Sequence, residues 1–256
     1  MMLKNPFIVT TPRTGSTVIC YLLGEIAKHK WGYKHTLFEY FNISPADKNW
    51  RYDVDVDGIV QWRPRQPGDS PFWETQDERA SLILNRMKSM TGANRYMVKA
   101  FPDHLTTNCV VFDELQKRYQ FVFLERRDKI AQFLSVCSKR ATGKPHYAVT
   151  DIEVADKLEF AIPALDSFVK QIQEYKVMKA MFPESPVLVY EDFMAAGGDQ
   201  QALISLLQLQ ECDTIPIIPM VTKPTPYVVD DLERLFINPQ EWKRHETRVK
   251  EILHKL

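Results

Sequence analysis

Short runs of β-branched and aromatic residues alternate with longer helix-forming stretches along this chain, and that alternation limits the folds open to it. The predicted strands are 7–10, 96–99, 121–124 and 186–190. Because they do not alternate polar with apolar side chains, they are typical of strands covered on both faces, as in a parallel sheet. Helical patterns follow three of them, at 16–28, 106–118 and 128–140. We predict an α/β fold: an open parallel sheet flanked by helices on both faces.

Two stretches interrupt this alternation of predicted strands and helices. Residues 44–75 are rich in Pro, Asp, Arg and Trp, and their length indicates a functional loop rather than a simple connection. Residues 213–228 contain four prolines and are predicted to be irregular. The helical pattern over 152–181 contains Pro163, which is expected to kink or split it. A last helix is predicted to begin near Asn238 and Pro239, and with no sharp linker we expect one domain over 1–256.

Charge and cysteine usage exclude several classes of protein. Thirty-three Lys and Arg residues balance thirty-three Asp and Glu residues, whereas a protein that binds nucleic acid non-specifically carries a basic excess. The four cysteines are far apart and form no CxxC pair, so they predict neither a zinc site nor a disulfide framework. No apolar run reaches membrane-spanning length, and the N-terminus lacks a signal-peptide pattern. We expect a soluble, cytoplasmic protein without a metal, and its oligomeric state stays open.

The first candidate site is Thr11-Pro12-Arg13-Thr14-Gly15-Ser16-Thr17, between the first strand and the first helix. A helix start exposes backbone N–H groups at the positive end of the helix dipole. Gly15 allows close approach of a ligand, and Arg13 carries a forked cation suited to phosphate or sulfate oxygens. Hydroxyl groups come from Thr14, Ser16 and Thr17. The segment is predicted to bind an anion.

Two other interpretations of this segment stay open. Thr14 or Ser16 could simply cap the helix while Arg13 stays in solvent. A nucleoside-triphosphate loop of the Walker type, GxxxxGK[ST], would need Gly at position 10 and Lys at position 16, where the chain has Thr10 and Ser16. The loop therefore favours an anion other than a polyphosphate held with Mg²⁺.

The second candidate site follows the strand at 121–124. Arg127 lies just past the carboxyl end of that strand, where open α/β sheets bind ligands. Ser135 is eight residues further along, a rise of about 12 Å along a helix, and an extended Arg side chain can share an anion with it. The alternative is a solvated cluster in which Arg126 and Arg127 pair with Glu125 and Asp128.

Taken together, the two sites resemble those of sulfotransferases that use 3′-phosphoadenosine-5′-phosphosulfate (PAPS). The segment Pro12-Arg13-Thr14-Gly15-Ser16-Thr17 looks like the family's P[KR]SGTT loop, and Arg127 and Ser135 match its strand-Arg-x₇-Ser spacing. Tyr190-Glu191-Asp192 resembles its YED segment. The resemblance implies a P-loop-like fold in which the first loop binds the 5′-phosphosulfate, Arg127 and Ser135 bind the 3′-phosphate, and Tyr190 touches the adenine.

The resemblance also bears on the catalytic base. Cytosolic members carry a KTH segment whose His is the base, and here Val98-Lys99-Ala100-Phe101 places Lys99 at the Lys but Phe101 at the His. Lys99 is retained as a contact to the group in transfer. Glu39, in Leu37-Phe38-Glu39-Tyr40-Phe41, resembles the EYF segment of bacterial glycolipid and trehalose-type sulfotransferases, whose Glu is the base. Nearby His104 is the fallback.

The 44–75 stretch carries two further patterns. Residues 53–58, Asp-Val-Asp-Val-Asp-Gly, open like a calcium loop, but Pro64 stands where the bidentate Glu is needed, so a turn is the simpler prediction. Trp31, Trp50, Trp62 and Trp73 lie within or beside this stretch. Their rings suit the apolar faces of sugars, or they anchor the loop to the domain.

These observations predict an enzyme that transfers a sulfuryl group from PAPS to an acceptor hydroxyl, with 3′-phosphoadenosine-5′-phosphate (PAP) as the product. A carbohydrate, glycolipid or other small molecule is the expected acceptor. Two alternatives are a P-loop-like nucleotide kinase with a degenerate loop and a non-catalytic nucleotide-binding homologue. The acceptor itself is not predicted by the sequence.

Overall fold

A computed structural model describes the protein at 6–32, 35–38, 50–54, 60–64, 80–81, 83–85, 87, 96–105, 109–142, 158–207, 209 and 236–256. The chain divides into two compact units. The first comprises Met1–Thr11, Gly15–Glu125 and Glu174–Ile215, and the second comprises Pro12–Thr14, Arg126–Gln173 and Pro216–Leu256. The prediction of one domain over 1–256 stays a prediction.

The first unit contains a five-stranded parallel sheet. Its strands are β1 (Pro6–Thr10), β2 (His35–Phe38), β5 (Tyr96–Ala100), β6 (Gln120–Glu125) and β7 (Val187–Val189). They lie in the order β2-β5-β1-β6-β7, and each pair of neighbours is parallel. Helices in this unit are α1 (Ser16–Trp31), α2 (Cys109–Arg118), α5 (Tyr190–Ala195) and α6 (Gln200–Leu206). The predicted α/β class is confirmed.

Successive residues of one strand enter opposite cores, which explains why the strand sequences lack polar alternation. In β1, Phe7 and Val9 pack with Val111 and Leu115 of α2, while Ile8 packs into a different cluster with Leu23 of α1. Both faces of the sheet are therefore covered by helices, and a polar side chain on either face of β1 would be buried. The predicted strands at 7–10, 96–99 and 121–124 and the predicted helices at 16–28 and 128–140 match observed elements. Helix α2 covers 109–118 of the helix predicted over 106–118, whose first three residues lie outside the described residues.

The second unit is built on α3 (Lys129–Thr142), the start of α4 (Ile162–Met181) and α7 (Pro239–His254). Its core contains Phe133 and Cys137 of α3 together with Trp242 of α7. Burial raises the pKa of the Cys137 thiol to about 12, so this cysteine stays protonated and is a packing residue. The predicted last helix begins at Pro239 as expected, with Asn238 as its N-cap residue.

Three sequence predictions need correction. Tyr190 is the first residue of α5 rather than the end of a strand, because β7 ends at Val189. Pro163 neither kinks nor splits a helix: it is the second residue of α4, where a missing N–H costs no hydrogen bond. The 44–75 stretch contains an antiparallel pair, β3 (Trp50–Val54) and β4 (Val60–Pro64). The described helices include none that is both long and apolar enough to cross a membrane.

Candidate functional site

Three neighbouring strands of the parallel sheet, β5, β1 and β6, carry or lead into predicted site residues. β1 leads into the Thr11–Thr17 segment, β6 leads into Arg126 and Arg127, and β5 carries Lys99 one residue before its end. β1 and β6 are neighbours, with Thr10 in register with Leu124, and the Thr10 hydroxyl donates a hydrogen bond to the Leu124 carbonyl at 3.0 Å. Ligands of open α/β sheets bind at the carboxyl ends of the strands.

The turn between β1 and α1 uses two left-handed residues. Arg13 has φ +65°, and Gly15, the N-cap residue of α1, has φ +80°. Gly15 has no side chain with which to cap this helix end, and the first turn of α1 contains no acidic residue. The interpretation of Thr14 or Ser16 as a helix cap stays a prediction, and the positive end of the α1 dipole has no carboxylate in its first turn.

Gly15 is required at its position for two separate reasons. Its φ lies in the left-handed region that side chains rarely adopt. In addition, a Cβ on Gly15 would clash with Cε2 and Cδ2 of Tyr190, whose ring lies against the glycine. Tyr190 is only 8% exposed. In this position the Tyr190 ring supports the turn, and its predicted contact with adenine stays a prediction.

The segment Pro12–Arg13 makes three hydrogen bonds with Arg126 and helix α3. The Arg13 Nε donates to the Ser135 Oγ at 2.7 Å, which joins the two candidate sites directly. The Arg126 guanidinium donates to the Arg13 carbonyl at 3.3 Å, and the Gln132 side-chain amide donates to the Pro12 carbonyl at 2.7 Å. Residues more than a hundred positions apart thus form one hydrogen-bonded cluster that contains the guanidinium groups of Arg13 and Arg126.

The acidic neighbours of Arg127 have other partners. Glu125 pairs with Lys179 at 2.9 Å, and the Asp128 carboxylate accepts the Ala131 N–H at 2.8 Å, which caps the start of α3. Each acid therefore has a partner outside the predicted cluster of Arg126 and Arg127 with Glu125 and Asp128, and that alternative stays a prediction. Arg127 itself is exposed.

Lys99 lies at the end of β5 and is buried, with 4% of its surface exposed. Its ammonium is 5.2 Å from the centre of the Phe101 ring, within the range of a cation–π contact. His104 is also buried, and its Nδ1 accepts the Phe101 N–H at 3.3 Å. A neutral ring in this arrangement carries its proton on Nε2 and has no lone pair left to take another, which disfavours His104 as the base.

The accessibility of the predicted anion-binding residues differs along the turn. Arg13, Gly15 and Thr17 are half-buried, whereas Thr14 and Ser16 are 0% and 5% exposed. The roles predicted for the Thr14 and Ser16 hydroxyls stay predictions. Glu39 lies outside the described residues, as do most of 44–75 and 213–228. Phe38, which precedes Glu39, is in register with Lys99 of the neighbouring strand.

Sequence reasoning gave no role to Gln132 and considered Arg126 only as part of a surface cluster. Gln132 is 0% exposed and lies one helical turn before Ser135, so the two side chains share a face of α3. The sequence feature that could have identified Gln132 is its position three residues before Ser135, the candidate ligand residue, in a predicted helix. Among the described residues, no group of three or more His, Cys, Asp or Glu side chains could hold a metal ion.

Comparisons with known proteins give structural similarity only. Neither the protein-family models nor the curated proteins match this sequence. A sulfotransferase from Alicyclobacillus acidocaldarius is similar in structure over 100% of this chain and 96% of its own, with 14% identity and a TM-score of 0.40. Retinol dehydratase in complex with androsterone and the inactive cofactor PAP is similar over 97% of this chain and 71% of its own, with 13% identity and a TM-score of 0.39. Because these values are so low, function is inferred below from the residues of the site.

We expect Gly15→Ala to destabilise the protein more than Gly32→Ala. Both glycines have positive φ, +80° and +67°, but a Cβ at Gly32 meets nothing within 4 Å, whereas one at Gly15 meets Tyr190. The backbone strain is common to both variants, at about 1–3 kcal/mol, and only Gly15→Ala adds the clash. Urea unfolding of the two variants measures the difference. Equal losses would show that Tyr190 does not pack on the turn.

Proposed function

We propose that this protein is a PAPS-dependent sulfotransferase that acts on a hydroxyl group. The observation that carries the proposal is the 2.7 Å hydrogen bond from Arg13 Nε to Ser135 Oγ. It brings a residue of the predicted 5′-phosphosulfate loop into contact with a residue of the predicted 3′-phosphate pair. A bisphosphorylated adenosine needs cationic groups for two anions on one ribose, and we assign Arg13 to the 5′ anion and Arg127, together with the Ser135 hydroxyl, to the 3′-phosphate.

In this proposal the turn binds the 5′-phosphosulfate through Arg13, Thr14, Gly15, Ser16 and Thr17. The start of α1, whose first turn has no acidic residue, adds the attraction of its dipole for the anion. Arg127 and Ser135 bind the 3′-phosphate, with Arg127 exposed at the end of β6 and Ser135 two turns along α3.

The transfer itself forms a bond from the acceptor oxygen to sulfur and breaks the bond from sulfur to the 5′-phosphate oxygen. Negative charge builds on that departing oxygen, and PAP leaves with it. Cationic groups and N–H donors fixed in advance stabilise such charge without rearranging in the transition state. We propose that Lys99 and Arg13 stabilise the transferred group and that Glu39 takes the proton of the acceptor hydroxyl.

A carbohydrate or glycolipid is the proposed acceptor. Two of the four clustered tryptophans lie on the paired strands β3 and β4: Trp50 begins β3, and Trp62 is opposite Tyr52 in the register. Aromatic rings on neighbouring strands suit the apolar faces of sugar rings. The cytoplasmic location and the lack of a metal or nucleic-acid partner stay predictions.

A thermal-shift panel tests the proposed donor. PAP is expected to raise the melting temperature more than ATP with Mg²⁺ or adenosine 5′-phosphosulfate does, because only PAP carries anions at both the 3′ and 5′ positions. A larger shift with ATP and Mg²⁺ would instead favour the kinase alternative. No shift with any adenine nucleotide would contradict the proposal.

Arg127→Ala is expected to weaken binding of PAP by roughly 10- to 100-fold, the loss typical of a charge-assisted hydrogen bond. Binding of AMP, which lacks the 3′-phosphate, should change little. Arg140→Ala is the matched control, because Arg140 lies in α3, the helix that follows Arg127, and it pairs with Glu159. Calorimetric titration of both variants measures the constants, and equal weakening for PAP and AMP would remove Arg127 from the 3′-phosphate site.

Glu39→Gln is expected to reduce turnover by about 10²- to 10⁴-fold while PAP binding persists, because the amide cannot accept the acceptor's proton. Glu25→Gln, on the outer part of α1 where Glu25 pairs with Lys28, is the control and should keep full activity. Sulfate transfer from labelled PAPS measures turnover once an acceptor is found. Unchanged turnover in Glu39→Gln would exclude Glu39 as the base.

A further inference from the structure

We infer that Gln132 is a positioning residue that holds Pro12–Arg13 in the conformation that binds the anion, an inference that rests on the proposed function for its substrate. Gln132 reaches no reacting atom in this scheme. It acts through the loop, and its side chain donates to the Pro12 carbonyl at 2.7 Å.

The Arg13 backbone needs such support. Among the described residues it is the only one other than glycine with positive φ, at +65°. A left-handed conformation is unfavourable for a residue with a Cβ, and it persists only where surrounding contacts hold it. The contacts shown here are the hydrogen bonds that Gln132 and Arg126 donate to the carbonyls of Pro12 and Arg13.

Each of these hydrogen bonds fixes a peptide plane. The described chain contains no cis peptide bond, and in a planar trans peptide the N–H of the following residue points opposite to the carbonyl. By binding the Pro12 carbonyl, Gln132 therefore sets the direction of the Arg13 N–H. Arg126 sets the direction of the Thr14 N–H in the same way. Both donors are thus oriented before any anion arrives.

Gln132 is suited to this role because it cannot move easily. It is 0% exposed, its own backbone N–H donates to the Asp128 carbonyl at 3.0 Å, and Asp128 also caps the helix. Ser135, one turn further along the same face, accepts from the Arg13 side chain. One face of α3 therefore makes two hydrogen bonds with the Pro12–Arg13 segment. Gln132 binds its backbone at the Pro12 carbonyl, and Ser135 binds the Arg13 guanidinium.

The test compares Gln132→Met with Gln132→Glu and with Gln200→Met. Methionine has nearly the length of glutamine but no donor, and glutamate keeps the shape while its carboxylate cannot donate. Gln200 is a buried glutamine at the start of α6 and serves as the control for losing a buried amide. We expect roughly 10-fold weaker PAP binding by calorimetry in both Gln132 variants and no more than twofold in Gln200→Met. Gln132→Glu serves alone if Gln132→Met does not fold.

A second readout does not depend on the nucleotide. The ¹³Cα and ¹³Cβ chemical shifts of Arg13 report its left-handed conformation, which we expect to be present in the wild-type protein and in Gln200→Met and lost in the Gln132 variants. If the left-handed shifts persist in a folded Gln132 variant, the inference is overturned, whatever the protein binds. If they are lost but the wild-type protein does not bind PAP, the positioning role stands and the proposed function fails.

Discussion

The contact between Pro12–Arg13 and helix α3 is the interaction on which this account of the protein depends. Three hydrogen bonds connect a turn that follows the first strand with residues more than a hundred positions later: Gln132 and Arg126 donate to its carbonyls, and Ser135 accepts from the Arg13 Nε. The turn by itself offers a helix start without an acidic residue and a few hydroxyls, which is common in proteins. The hydrogen bonds from Arg126 and to Ser135 add a second guanidinium group and a hydroxyl to Pro12–Arg13.

The parallel sheet is what makes that contact possible. Because neighbouring strands run in the same direction, their carboxyl ends meet at one edge, and β1 lies between β5 and β6. The residues that follow β1 and β6 are therefore close without any special loop. β5 brings Lys99 to the same edge, and β2 ends at Phe38 in register with it. The chemistry proposed for the protein thus follows from strand order together with the residue types at the strand ends.

Much of this arrangement could be predicted from the sequence, because it depends on local pattern. Strands that are covered on both faces have continuous apolar sequences, because residues on each face are buried. In β1, Phe7 and the next residue, Ile8, pack into two different hydrophobic clusters. The position of Pro163 was predicted less well, since proline is as compatible with the first turn of a helix as with a kink. Gln132 carried no clear signal, because a buried amide and an exposed one look alike in sequence. Tyr190 was assigned by resemblance, and its packing on Gly15 depends on a tertiary contact that no local pattern encodes.

The most direct test is a crystal structure of the protein with PAP. The account predicts one nucleotide at the carboxyl edge of the sheet, with its 5′-phosphate on the turn that contains Arg13 and Gly15 and its 3′-phosphate in contact with Arg127 and the Ser135 hydroxyl. A nucleotide bound elsewhere, or one whose 3′-phosphate contacts neither Arg127 nor Ser135, would contradict it.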